Sequence, residues 1–470
     1  MRYILLAALG TTAALAACSR ADFAVKPTDS TNARAVAVPL TQIVHPEWSK
    51  NAVIYEVNIR QYTPEGTFAA FSKSLPRLKA LGVDILWIMP VQPIGKDQRK
   101  GKLGSYYSIS DYTAVNPEFG NEADFKAMVD AAHAFGFKVI LDWVANHTAF
   151  DHVWTKTHKN WYTLRADGTI SRAIDDHGKE TDWSDVADLN YDNRDMRAEM
   201  IKDMRWWVDS THIDGFRCDV AGFVPYDFWA EVRTALWSSK SDLFFLAEWE
   251  DPKLHATFDM TYGWGLYHLM NDIAPGKQTV SALDAYFRDF EGKFPAGAYR
   301  MNFTSNHDEN SWNGTEFERM GANHQAAWVL SALTQNSMPL VYSGQEASFN
   351  RRLAFFEKDS IDWTGPSLAD FYKRIIDLRH THDVVWNGQY GAPQTKLATT
   401  GSDFVYAFTR ARGDSAVLVV TNFGDKPATV AYSGLAPVGT YTDWFSNAAL
   451  PLAAAGSIDV PAHGYRVLVR

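Results

Sequence analysis

A chain of 470 residues, 46% hydrophobic, 14% aromatic and 21% charged, has the makeup of a globular protein with a sizeable core and room for more than one domain. Its formal net charge of −10 argues against nucleic acid as a partner, because a phosphate-binding protein ordinarily carries a basic face. Seventeen Trp and twenty Tyr leave rings to spare beyond the core for platforms on which flat ligands, sugars among them, stack.

The first element is a leader. Arg2 precedes an apolar run from residue 3 to 17 that is too short to span a bilayer, and Leu15-Ala16-Ala17-Cys18 closes it with small residues. These four residues resemble the lipobox of bacterial lipoproteins, which implies cleavage before Cys18, acylation of its thiol, and an exported chain held in the cell envelope by lipid alone. An ordinary secretory signal is the other reading. The only other cysteine is Cys218, so no disulfide is expected despite export. Residues 19–45 are polar, Ala-rich and without period, the composition of a tether.

From Trp48 onward, short apolar runs alternate with helical patterns. Residues 52–59 read as a strand; Phe68, Phe71, Leu75, Leu78 and Leu81 repeat as one helix face; 83–89 is a buried strand. Phe125, Met128, Val129, Ala132 and Phe135 mark the next helix, and 138–144 the third strand. Met196, Met200, Met204, Trp207 and Val208 lead into a strand at 216–220, and a helix at 228–237 precedes a strand at 243–248. Further strands are expected at 256–261, 299–305 and 340–343, with a last helix at 368–380. Eight strands alternating with helices predict an α/β fold, a (β/α)8 TIM barrel over residues 46–384.

Between the third strand and the helix near Arg194 lie more than forty residues with turn signals at Asp167-Gly168 and His177-Gly178, predicting an inserted domain B over 148–192. After residue 385, strand-like runs at 404–409, 416–421, 428–432 and 465–469 predict a C-terminal antiparallel β-sandwich over 385–470.

In such a barrel, chemistry sits at the C-terminal ends of the strands. Phe216, Cys218 and Val220 alternate with Arg217 and Asp219, so Arg217 and Asp219 share a face within side-chain reach, and the guanidinium would hold the carboxylate ionised as a nucleophile. A structural Arg-Asp pair is the plainer reading of these two alone. Glu248 follows Leu243-Phe-Phe-Leu-Ala and precedes Trp249, an apolar setting that raises its pKa and keeps it protonated. An ionised aspartate beside a protonated glutamate is the pair of a retaining glycosidase.

Asp142-Trp-Val-Ala-Asn146-His147, Gly215-Phe-Arg217-Cys-Asp219, Ala247-Glu248 and Asn306-His307-Asp308 resemble, in order, the four motifs of the α-amylase family of glycoside hydrolases. The resemblance implies that Asp219 attacks the anomeric carbon, Glu248 is acid and then base, and Asp308 stabilises the transition state. It places Tyr107, of Gly104-Ser-Tyr-Tyr107, on the sugar at the cleavage site, and Asp142, His147, Arg217 and His307 among the substrate-binding residues. It also implies a calcium site drawing on Asn146 and Asp188. Many family members have Lys-His three and four residues after the nucleophile; this chain has Gly222 and Phe223, which leaves both the leaving-side subsites and calcium open. The expected substrate is a starch-like α-glucan or malto-oligosaccharide. A glucan transferase would share every motif, since water and a sugar hydroxyl compete for one intermediate, and a non-catalytic glycan-binding lipoprotein is the reading from another class.

Overall fold

Eight parallel strands close into a barrel in the computed structural model, which describes residues 43–470. They are β1 (Ile54–Val57), β2 (Ile85–Ile88), β3 (Lys138–Trp143), β4 (Gly215–Cys218), β5 (Phe244–Ala247), β6 (Met260–Tyr262), β7 (Tyr299–Asn302) and β8 (Ser337–Tyr342). Each pairs with its predecessor, and β1 closes on β8 with Glu56 opposite Tyr342. Both faces of these strands are buried. Ile54, Ile85, Trp87, Ile140, Phe244, Leu246, Met260 and Leu340 fill the interior, while Tyr55, Val57, Leu86, Ile88, Val139, Leu141 and Phe216 pack under the helices. That is why the strands read as nearly continuous apolar runs, as expected of a parallel sheet covered on both sides.

The expected leader, Cys18 and almost all of the expected tether lie outside the described residues. His45 is already packed, its ring between the Asp259 carboxylate and the Gly297 carbonyl. Among the described residues no helix is long and apolar enough to cross a membrane.

Locally the structure departs from these expectations. The helix expected over 68–81 is two, Phe68–Ser72 and Leu75–Leu81. Pro76 has no N–H to return to the Ser72 carbonyl, so the ladder breaks there. The sixth strand begins at Met260, because Asp251 accepts the Lys253 N–H and caps a 3-10 turn over Pro252–Ala256. Val220, expected in the fourth strand, lies beyond it with φ of 34°. A helix at His324–Leu333 was invisible to periodicity because eight of its ten residues are buried, leaving no polar face to alternate with.

The segment after β3 is small and mostly loop. His147–Ala149 pairs antiparallel with Val186–Asp188, and bridges Leu164–Ile170 and Ile174–Glu180 close two hairpins over the Asp167-Gly168 and His177-Gly178 turns. The C-terminal region sets a six-stranded antiparallel sheet on a three-stranded one. In its strands Val405–Arg412 and Ser415–Asn422, one face (Val405, Ala407, Leu418, Val420) packs on the small sheet. The other (Tyr406, Phe408, Val417, Val419) joins the barrel's outer core.

Candidate active site

Asp142 and Arg217 are register partners at the C-terminal end of β3 and β4. Just beyond, the Asp219 N–H donates to the Trp143 carbonyl and the Glu248 N–H to the Cys218 carbonyl, each at 2.9 Å. These bonds carry the ladder one step past the strand ends and set Asp219 beside Glu248. Val220 then turns the chain away, and its N–H donates to Glu248 Oε2 at 2.9 Å. The approach of β4 to β5 requires glycine at its start, since a Cβ on Gly215 would lie 1.8 Å from the Phe244 carbonyl oxygen.

Arg217 is completely buried at the centre of this mouth. Its Nη1 donates to Asp142 Oδ1 at 2.8 Å and Asp219 Oδ1 at 2.9 Å, and its Nη2 pairs with Glu248 Oε1 at 2.7 Å. Nε donates to the Tyr262 hydroxyl at 3.1 Å, and the Trp87 ring centre lies 5.0 Å away. One guanidinium therefore serves three carboxylates. This corrects the expectation that Arg217 by itself keeps Asp219 ionised: burial, and then the charge of Glu248, push the Asp219 carboxyl well up against the pull of Arg217. Burial likewise raises Glu248, with Arg217 opposing, which is the direction a general acid needs. If the shared proton sits on Glu248, that charge is removed from Asp219 and the pull of Arg217 on Asp219 is left unopposed by it.

Asp142 departs from the role expected for it. It is fully buried, and its carboxylate accepts from the Trp87 indole (3.1 Å), the Tyr107 hydroxyl (3.1 Å) and Arg217. It holds Arg217, and none of its surface is exposed. Arg217 is enclosed in the same way.

Tyr107, 8% exposed, stacks on His307 with ring centres 5.4 Å apart and brings its hydroxyl to 2.8 Å from His307 Nε2. His307 Nε2 lies 3.2 Å from Asp308 Oδ2, and its Nδ1 lies 2.5 Å from Glu56 Oε1. Burial alone would lower the His307 imidazole, but Asp308 and Glu56 outweigh it and hold it well above its usual value. Burial would raise Asp308, yet His307 and Arg217 keep it below the usual carboxylate range, ionised. His147 is the opposite case: burial pushes its imidazole down to about 3, so it is neutral, with the Asn146 amide 3.3 Å from Nδ1 and the Trp183 ring edge-on.

Aromatic rings edge the mouth. Trp183 stacks on Phe223 at 6.1 Å, and Phe223 meets Trp249 at 5.3 Å; Trp312, half exposed, lies against Phe355. A Cβ on Gly222 would lie 2.2 Å from the Trp249 indole, so the ring occupies the space a side chain there would need.

Residues 28–364 match the model of the α-amylase catalytic domain, and 399–465 that of its C-terminal all-β domain. The chain belongs to the α-amylase family. It is 29% identical over 412 residues to α-amylase MalA of Haloarcula japonica, covering 84% of this chain and 58% of that one. It is 26% identical over 426 residues to an α-1,4-glucan:maltose-1-phosphate maltosyltransferase of Streptomyces coelicolor, covering 82% and 60%. The chain thus spans less than two thirds of the length of these two relatives. Among solved structures, a maltogenic α-amylase, AmyB, of Thermotoga neapolitana superposes with a TM-score of 0.81 at 28% identity, over 90% of this chain and 99% of that one. An α-amylase of Lactobacillus plantarum gives 0.80 at 29% over the same shares.

Within this family member, the calcium donors expected from sequence are neighbours: His147 and Asp188 are ladder partners, and the Leu189 N–H donates to the Asn146 carbonyl. Asp188 accepts the Ile174 N–H, pairs with no cationic side chain among the described residues, and burial pushes its carboxyl up to about 6. A buried carboxylate held by hydrogen bonds alone suits a hard cation. Among the described residues no group of three or more His, Cys, Asp or Glu gathers there, so a calcium ion would rest on Asp188, Asn146 and main-chain oxygens.

Sequence reasoning missed Glu56, Trp87 and Tyr262. Glu56 left a signal, as the single acid inside the apolar run Ile54-Tyr-Glu-Val57, a strand with both faces buried. Trp87 and Tyr262 left none, since an aromatic in a buried strand is ordinarily core.

Proposed function

We propose that this protein is a retaining α-glycoside hydrolase of starch-like glucans or malto-oligosaccharides. The observation that carries the reading is the shared guanidinium, which holds a nucleophile, Asp219, and an acid, Glu248, on its two amino groups with a third carboxylate, Asp308, ionised beside them. Carboxylates held on one guanidinium sit close together, which suits double displacement. Asp219 attacks the anomeric carbon while Glu248 gives its proton to the departing glycosidic oxygen. The glycosyl ester on Asp219 is then cleaved by water, which yields its proton to Glu248. Asp308, kept ionised by His307 and Arg217, supplies the negative charge that stabilises the developing oxocarbenium, where fixed charges act strongly in a dry site. The partly buried Trp183, Phe223 and Trp249 and the half-exposed Trp312 supply stacking surfaces for sugar rings.

Transfer to a sugar hydroxyl in place of water is the second reading, favoured by the likeness to a maltosyltransferase. A bound calcium at Asn146 and Asp188, and acylation of Cys18 with anchorage in the cell envelope, belong to the same proposal. The test is reducing-sugar release and product profile on soluble starch, pullulan and maltotriose, for wild type and Asp219→Asn. Cleavage by wild type and not by the variant supports hydrolysis through Asp219. Products longer than the substrate at high maltotriose concentration point to transfer, and binding without cleavage would replace the reading by that of a glycan-binding lipoprotein. Fatty-acid labelling of wild type and Cys18→Ser tests the anchor.

A further inference from the structure

We infer that Glu56 is a positioning residue for catalysis: its carboxylate keeps His307 doubly protonated, so that Nε2–H is a standing donor, and a positive charge, at the sugar-binding mouth. This rests on the glycosidase reading above.

Glu56 sits on β1, outside the family motifs, and is fully buried. Its Oε1 lies 2.5 Å from His307 Nδ1 and also accepts the His307 main-chain N–H at 3.4 Å; its Oε2 has no hydrogen-bond partner among the described residues. A carboxylate accepts only, so Nδ1 must carry the hydrogen of that contact. On the other side of the ring, Nε2 faces Asp308 Oδ2 and the Tyr107 hydroxyl. A carboxylate within reach of each nitrogen leaves the imidazolium as the form that satisfies both.

The charge balance of the mouth asks for the same state. Glu56 from β1, Asp142 from β3, Glu248 from beyond β5 and the neighbouring Asp308 all act on His307 or its partner carboxylate, and Asp219 joins them through Arg217. Tyr342 on β8 and Tyr262 on β6 face Glu56 without offering a charge. Five acids surround two cationic side chains. With a neutral His307, Arg217 would be alone among them in a closed, low-dielectric interior, and a buried acid next to a neutral ring would have no compensation. Burial of Glu56 raises its carboxyl and His307 is the first influence opposing that rise. The pair therefore stands or falls together. It differs from a packing role because its far end, Nε2–H, reaches Asp308 at the mouth.

The test uses the full-length protein labelled with 15N-histidine, with His307 assigned by loss of its signal in His307→Gln. The expected result is imidazolium shifts on both His307 nitrogens through pH 8 in wild type. In Glu56→Gln the ring should titrate below pH 8, and the alkaline limb of kcat/KM on maltotriose should move down by about one to three pH units. Glu56→Asp, which keeps the charge, should recover part of that movement. A neutral His307 tautomer in wild type at pH 7 overturns the inference, as does a Glu56→Gln protein whose ring titration matches wild type. Should Glu56→Gln fail to fold, the wild-type spectrum and Glu56→Asp still decide it. The spectra require no turnover, so absence of activity on every α-glucoside would refute the glycosidase reading while leaving the state of His307 measurable.

Discussion

Asp142→Asn separates a residue that touches sugar from one that holds Arg217. In the structure its carboxylate receives three donors, from Trp87, Tyr107 and Arg217, and solvent reaches none of it. An asparagine amide can turn only one oxygen toward them, so its NH2 must face at least one donor. Removing one partner of a buried ion pair costs about 3–5 kcal/mol; Arg217 retains Asp219 and Glu248, which puts the expected loss of stability near the lower end, roughly 3 kcal/mol. The guanidinium would shift toward its two remaining carboxylates, and a displacement on the order of 1 Å at reacting groups costs about 100-fold in turnover. The assay is initial-rate kinetics on maltotriose together with thermal unfolding. The expected result is kcat down by about 100-fold with KM within about threefold, and a lowered Tm. A KM raised by about tenfold with kcat nearly unchanged, in a protein that melts like wild type, would mean that Asp142 binds sugar directly and that the holding role is wrong.

Glu248→Gln should lose nearly all activity on maltotriose yet retain glycosylation with an α-glycosyl fluoride, whose leaving group needs no proton; Asp219→Asn should be inactive on both, and equal inactivity of the two on the fluoride would count against the acid role. Asp188 carries a raised pKa of about 6 against 3.8 for the free side chain, so without a cation the folded state holds the extra proton and stability falls as pH rises from about 4 to 6, by up to about 3 kcal/mol. Calcium should raise Tm at pH 8 and leave it nearly unchanged at pH 4, and Asp188→Asn should abolish the difference; a wild-type Tm indifferent to calcium and chelator at pH 8 removes calcium from the proposal. Gly222→Ala should displace the Trp249 indole, shifting tryptophan fluorescence and altering the product profile on malto-oligosaccharides, because the new Cβ would meet the ring at 2.2 Å. Unchanged products would show that Trp249 takes no part in binding the leaving side.

Much of the site was legible because its chemistry is local in the chain. Asp219 and Glu248 each end an apolar strand run, and polar residues that close buried strands face the mouth of a barrel whatever the details of packing. The alternation of Arg217 with Asp219 placed both on one face, and the 2.9 Å contact follows from that period. The same reasoning overextended the strand to Val220, since a left-handed residue at a strand end leaves no mark on an apolar pattern.

The linear sequence by itself therefore determined the barrel, the inserted segment and the C-terminal sheets, and pointed to the three carboxylates at strand ends, because hydrophobic period and strand-end position are properties of short stretches. Only the tertiary structure decided how charge is distributed among them. That Arg217 serves three carboxylates and that Asp142 is its buried partner depend on the register of β3, β4 and β5, and that Glu56 stands behind His307 across 251 positions of chain depends on barrel closure. Electrostatics acts through space and is set by burial, so residues far apart in sequence govern one another's protons once the fold has removed the water between them.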